Sequence, residues 1–172
     1  MKEALSKINC LILDVDGTMT DGGVYLDSEG TEMKKFSIRD GAGILLLREG
    51  GVLVVILTGR ESHCVTLRAR ELGIRQVFQG VKDKRAFLER CLREQNISRK
   101  ETAYLGDDLN DLAAMSLAAV SVCPSDAAAG VLSRCSLVLK ARGGEGAVRE
   151  LAELVLSAKG ILEDCARRLW DV

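Results

Sequence analysis

Short apolar runs alternate with amphipathic stretches along this chain. Ile8 to Val15 is an apolar run that leads into Asp14, Asp16 and Gly17. Gly51 to Leu57 is a second, rich in β-branched residues, and Thr102 to Leu105, Ala119 to Cys123, Ser136 to Leu139 and Gln76 to Phe78 are shorter ones. Runs of this length without strict polar alternation fit strands of a parallel sheet buried on both faces. Between them, apolar residues recur at helical spacing. Val65, Ala69 and Leu72 form one stripe, Phe87, Leu88, Cys91 and Leu92 a second, and Leu109, Leu112, Ala113 and Ser116 a third. Ala147, Val148, Leu151, Leu154, Val155 and Ala158 form the clearest. Strand and helix in alternation predict an α/β fold, a Rossmann-like doubly wound parallel sheet with right-handed crossovers. Gly23 to Phe36 breaks the alternation. Val24-Tyr25-Leu26, a turn at Asp27-Ser28-Glu29-Gly30 and Thr31 to Phe36 predict a β-hairpin inserted after the first strand. Residues 160–172 read as a C-terminal tail.

Length and composition narrow the function classes. A chain of 172 residues with 47% hydrophobic residues and one proline suits a single domain over 1–172. The net charge is -1 with both signs interspersed, and aromatic residues are 3%, which argues against a nucleic-acid surface. No apolar run reaches the ~20 residues that span a bilayer. The six cysteines are scattered without a C-x-x-C pair or clustered histidines, so reduced thiols in a cytoplasmic protein are expected. His63, the one histidine, receives no role.

The polar residues expected at the carboxyl ends of the strands carry the chemistry, because ligands of open α/β sheets bind there. They are Asp14-Val15-Asp16-Gly17-Thr18, Thr58-Gly59-Arg60, Lys84 just before or within a helix, and Gly106-Asp107-Asp108-Leu109-Asn110-Asp111. Asp14 and Asp16 lie two apart on an extended chain and share a side. Carboxylates so close repel unless a cation or a proton intervenes. With Asp107 they make an oxygen-only donor set that suits Mg²⁺. Mg²⁺ and Lys84 would neutralise a phosphoryl group while the Thr58 hydroxyl binds one of its oxygens. Each residue also has a plainer reading. Thr58 fits a helix N-cap, Lys84 a solvated helix position with Lys82 as a competitor for its role, and Asp108 an N-cap. Asp111 would also favour a helix dipole.

The four motifs, in order, resemble the haloacid dehalogenase superfamily. The resemblance implies that Asp14 is a nucleophile that forms an aspartyl-phosphate, and that Asp16 protonates the leaving alcohol and then activates water. It implies Mg²⁺ on Asp14, Asp107 and the Asp16 carbonyl, phosphate on Thr58, Gly59 and Lys84, and Asp108 and Asp111 in support. The hairpin is too small for a cap domain, so the fold is expected to be capless. Asp21-Gly22, the hairpin, Phe36 to Gly41, Leu57 to Arg60 and Gly143 to Glu150 resemble the capless 3-deoxy-D-manno-octulosonate 8-phosphate phosphatases, which serve lipopolysaccharide precursor synthesis. Arg60 and Arg68 fit the octulosonate pattern and are expected to contact a substrate carboxylate. Glu145 fits relatives that act on 9-phosphates of nine-carbon keto acids, the second substrate expectation. The family also implies a homotetramer whose neighbours cover Val24, Leu26, Met33 and Phe36.

Three other readings are weaker. A phospho-acceptor signalling domain would need an Asp at the end of a middle strand, where this chain has Thr58-Gly59-Arg60. A non-catalytic oligomerisation module has no use for all four motifs. A calcium loop would need a Glu at its twelfth position, which the Asp14 loop lacks.

Overall fold

The structure of the protein, a computed structural model, describes residues 1–171. The chain begins with α1 (Lys2–Ser6), β1 (Cys10–Leu13), β2 (Tyr25–Leu26), β3 (Glu32–Met33) and α2 (Ile38–Glu49). It continues through β4 (Leu53–Leu57), α3 (His63–Glu71), β5 (Gln76–Phe78), α4 (Lys84–Glu94) and β6 (Thr102–Leu105). The last part comprises α5 (Leu112–Met115), β7 (Val120–Cys123), α6 (Ala129–Leu132), β8 (Leu137–Val138), α7 (Ala147–Lys159) and α8 (Leu162–Trp170). Six strands form one parallel sheet in the order β5-β4-β1-β6-β7-β8. From β1 the chain moves outward through β4 and β5, then returns to β6 on the other side. The crevice between β1 and β6 is therefore the topological switch point, where such sheets bind ligands.

The apolar runs lack alternation because both sheet faces are buried. Leu11, Leu13, Val54, Ile56, Ala103 and Leu105 enter one core, beneath α1, α2, α3, α7 and α8. Cys10, Ile12, Val55, Leu57 and Tyr104 enter the other, beneath α4, α5 and α6. Period-two alternation survives as a choice between two apolar layers.

Four helices depart from the sequence expectation, the short α1 and α6 and the longer α2 and α8. No helix was expected at 38–49, yet α2 forms there and packs along α7. The Ser37 hydroxyl caps it by accepting the Asp40 N–H at 3.3 Å. A Cβ on Gly43 would lie 2.7 Å from the Arg149 Cα, so glycine is what lets the helix backbones meet. Asp40, buried, accepts N–H groups from Gly146 at 3.2 Å and Arg149 at 2.9 Å. It thereby caps α7, whose N-cap residue is Gly146 and which has no side-chain cap of its own. The segment read as a tail forms α8 over Leu162–Trp170, docked on α2 and α7 with Cys165 buried.

The hairpin of β2 and β3 is antiparallel, with Tyr25 opposite Met33. Asp27 closes its turn by accepting the N–H groups of Glu29 at 2.9 Å and Thr31 at 2.8 Å. Val24, Leu26 and Met33 are exposed. Phe36, expected to need cover with them, instead packs partly against the main core. Among the described residues no helix is long and apolar enough to cross a membrane.

Candidate active site

Strand β1 delivers Asp14 to the switch point, where its backbone N–H donates to the Leu105 carbonyl at 3.0 Å. The chain then turns tightly, with Gly17 at φ +85°, a conformation that favours glycine. A Cβ there would stand 2.1 Å from Asp107 Oδ2, so the glycine also makes room for the carboxylate arriving from β6. Thr18 Oγ1 donates to Asp107 Oδ1 at 3.1 Å and holds it beside Asp14. The loop before α7 lies across this turn. Gly144 N–H donates to the Thr18 carbonyl at 3.0 Å, and a Cβ on Gly143 would fall 1.8 Å from the Gly17 carbonyl oxygen.

Lys84, the first residue of α4, is 3% exposed, which excludes the solvated-helix reading. Its Nζ donates to Asp14 Oδ1 and to Asp111 Oδ1, both at 2.7 Å. Lys82 is exposed and reaches only the Gly59 carbonyl, at 3.3 Å. Asp111 also accepts the Tyr104 hydroxyl at 2.7 Å, which fastens it from behind. Asp111 is the N-cap position of α5, but its carboxylate serves Lys84 and Tyr104 rather than the helix. Asp108, expected as that cap, is exposed and accepts the Leu109 N–H at 2.7 Å. Leu109, expected on the buried stripe, is exposed as well.

Asp14, Asp16, Thr58, Gly59, Arg60, Val81, Lys82, Lys84, Asp107, Asp108 and Asn110 line one cavity of about 410 Å³. The expected site residues therefore converge, with Asp111 behind the lining on Lys84 and Arg68 apart from it. Arg68 is not among the lining residues; it donates to the Ser37 carbonyl at 3.1 Å and pairs with Glu71 at 2.8 Å. It underpins the start of α2, where Gly41 leaves space for its guanidinium. Arg60 lines the cavity with its Nη2 bound to Glu32 at 2.6 Å.

Burial, the charge of Asp111 and, more weakly, that of Asp107 push the Asp14 carboxyl up to about 7, against the pull of Lys84. Burial and Asp111 likewise push Asp107 up to about 6. Burial alone would lower the Lys84 ammonium, but Asp14 and Asp111 outweigh it and hold it above its ordinary value. One oxygen each from Asp14, Asp107 and Asp111 lies within 4.8 Å of the others. Three carboxylates against one ammonium leave uncompensated negative charge, which a hard cation would neutralise. Asp111 Oδ1 already accepts two hydrogen bonds, so Asp14 and Asp107 are the better-placed donors.

Two residues that hold carboxylates of the site were missed in the sequence. Tyr104 sits on a fully buried strand, and a buried phenol needs a partner for its hydroxyl. Lys34 pairs with Asp16 and is shielded from solvent. Glu32 and Lys34 lie two apart on the second arm of the expected hairpin, and that spacing was the available signal.

Known proteins resemble this one in sequence and fold. The family of haloacid dehalogenase-like hydrolases matches residues 65–151. The 3-deoxy-D-manno-octulosonate 8-phosphate phosphatase of Haemophilus influenzae is 36% identical over 160 residues, covering 93% of this chain and 89% of its own. Its counterpart from Yersinia pestis is 39% identical over 158 residues, covering 92% of this chain and 84% of its own. The crystal structure of the Moraxella catarrhalis 3-deoxy-D-manno-octulosonate 8-phosphate phosphatase, in complex with a magnesium ion, a phosphate ion and KDO, matches with a TM-score of 0.94 and 34% identity. That match covers 98% of this chain and 97% of the other.

Proposed function

Since the chain belongs to the haloacid dehalogenase-like hydrolases, among the 3-deoxy-D-manno-octulosonate 8-phosphate phosphatases, we propose that it hydrolyses 3-deoxy-D-manno-octulosonate 8-phosphate to the sugar acid and phosphate. The observation that carries the reading is the buried Asp14 carboxylate, pinned by Lys84 at 2.7 Å on the wall of the 410 Å³ cavity. Lys84 holds Asp14 Oδ1, which leaves Oδ2 to attack phosphorus. The Thr58 hydroxyl and the Gly59 backbone bind phosphoryl oxygens beside the Lys84 ammonium. Asp16 gives a proton to the departing alcohol, and later takes one from the water that releases phosphate from Asp14. Asp14, Asp107 and the Asp16 carbonyl would hold Mg²⁺, which supplies charge neutralisation for the phosphoryl group. Asp111 and Tyr104 keep Lys84 in place, and Asp108 supports the metal from outside.

Arg60, steadied by Glu32, is positioned to meet the substrate carboxylate at the cavity rim. The cavity is open, as expected without a cap. We read the active species as a homotetramer in which hairpins from neighbouring subunits cover one another. The exposed Val24, Leu26 and Met33, with Ile38 at 85% exposure, support that reading. Six free cysteines suit the reducing cytoplasm.

Phosphate release should be measured with Mg²⁺ on octulosonate 8-phosphate, nine-carbon keto acid 9-phosphates and hexose phosphates. The octulosonate ester is expected to have the highest kcat/KM, and chelation to stop turnover until Mg²⁺ is restored. A higher value for a nine-carbon ester, or full activity in chelator, would overturn the assignment.

A further inference from the structure

The hairpin sends one lysine into the catalytic edge. The Lys34 side chain is 2% exposed, and its Nζ pairs with Asp16 and lies 3.4 Å from Glu32 Oε1. Glu32 in turn accepts Arg60 Nη2 at 2.6 Å and the Ser62 hydroxyl at 2.5 Å. The Cys64 thiol donates to the Glu32 carbonyl at 3.4 Å. A continuous chain of charges thus runs from the loop after β4, through β3, to the second carboxylate of the Asp14 loop. An ammonium this well shielded has lost its hydration and must be paired. Glu32 alone, tied to its own strand, would satisfy a lysine that only anchored the hairpin. Reaching Asp16 has a separate consequence: it restrains a carboxylate that otherwise sits in an open cavity, free to rotate.

We propose that Lys34 is a positioning residue that holds Asp16 in place for proton transfer, so that the acid is set only when the hairpin is seated. The inference rests on the reading of Asp16 as the acid and base of the reaction. Lys34 binds Asp16 Oδ1 and leaves Oδ2 to carry the proton. As the bond from Asp14 to phosphorus forms and the ester P–O bond breaks, that proton passes from Oδ2 to the leaving oxygen. In the second half, water gives a proton back to Oδ2 while its oxygen bonds to phosphorus and Asp14 departs. An acid held within hydrogen-bond reach of the leaving oxygen contributes roughly 10² to 10⁴ in rate, and misplacing it forfeits much of that.

The test is a series of substituted phenyl phosphates of near-constant shape, from phenyl to 2,4-dinitrophenyl, assayed with the full-length enzyme and Mg²⁺. A dinitrophenolate leaves without a proton, whereas a phenolate needs one. Plotted against leaving-group basicity, kcat/KM should fall gently for the wild type and steeply for Asp16→Asn and Lys34→Met. For Lys34→Met the ratio of phenyl to dinitrophenyl rates should drop roughly 10-fold or more, within the range of acid catalysis, and Lys34→Arg should recover most of it. Glu32→Gln, which slackens the chain but keeps the lysine, should give an intermediate slope, and it stands in if Lys34→Met does not fold. A hairpin with only a structural role would lower all rates in parallel, so a parallel line for Lys34→Met or Glu32→Gln overturns the proposal. If Asp16→Asn itself runs parallel, the acid reading fails and the Lys34 proposal falls with it. If Asp16→Asn steepens and the Lys34 and Glu32 variants do not, the Lys34 proposal alone is refuted.

Discussion

Metal-free protein should lose stability as pH rises through neutrality, and Mg²⁺ should abolish that loss. The perturbation is a change of pH from about 5.5 to about 8 in the presence of chelator. Asp14 titrates at about 7 and Asp107 at about 6 in the folded chain, against an ordinary 3.8. Both folded values are raised, so in this window the native state binds more protons than the unfolded chain. Their contribution to stability is then greatest below the ordinary carboxylate range and declines as pH climbs through the folded values. Integrated over the window, Asp14 accounts for roughly 2 kcal/mol and Asp107 for roughly 1 kcal/mol, with the sum reduced by their coupling. Asp40, raised by burial, contributes with the same sign toward the acid end. Carboxylates held below their ordinary range, such as Asp21, Asp27 and Glu32, are already ionised and add no slope. Urea melts at the two pH values give the difference directly. A loss of 1 kcal/mol corresponds to about 2–4 °C in the thermal midpoint for a chain of this size. Magnesium competes with the excess protons, so it should stabilise more at the higher pH, by about 2.7 kcal/mol at one hundred times its dissociation constant. The Asp107→Asn variant should lose part of the slope. Metal-free stability that is flat or rises between the two pH values would refute the claim that the cluster carries uncompensated charge.

Other variants probe separate links. Gly143→Ala should disrupt the loop that lies on the Asp14 turn, since its Cβ would meet the Gly17 carbonyl at 1.8 Å; a drop of several degrees in thermal midpoint, with activity lost in proportion, is expected. Gly43→Val should part α2 from α7 and cost about 2 kcal/mol or more in chemical denaturation, within the range for overpacking. Val24→Glu together with Leu26→Glu should turn a species of four chains into smaller ones by light scattering. The same pair should weaken sugar-phosphate turnover more than aryl-phosphate turnover.

The sheet was legible because strands buried on both faces are uniformly apolar, and β6 runs over Thr102–Leu105, the residues its sequence run marks. The motif residues were legible for a related reason: Asp16, Thr58 and Asp107 stand just past a strand end next to a glycine, and Lys84 opens the helix that follows β5. Helix α2 was not, because Gly41 and Gly43 break the helical signal while Ile44 to Leu47 are apolar on every side. Those glycines answer to partners far along the chain, Arg68 and Arg149, which no local pattern reveals. Lys34 was hidden for the same reason, since its partner Asp16 lies across the hairpin. The bond from Arg68 to the Ser37 carbonyl was hidden in the same way, since the two residues lie on separate helices' ends far apart in the chain.

Asp14 is proposed to take up the phosphoryl group. Acid quenching during a single turnover, followed by peptide mapping by mass spectrometry, tests it most directly. One phosphoryl group is expected on the peptide that carries Asp14, labile to hydroxylamine and absent from Asp14→Asn, which should retain its fold and lose all but a trace of turnover. A phosphoryl group on another residue, or Mg²⁺-dependent turnover persisting in Asp14→Asn, would contradict it.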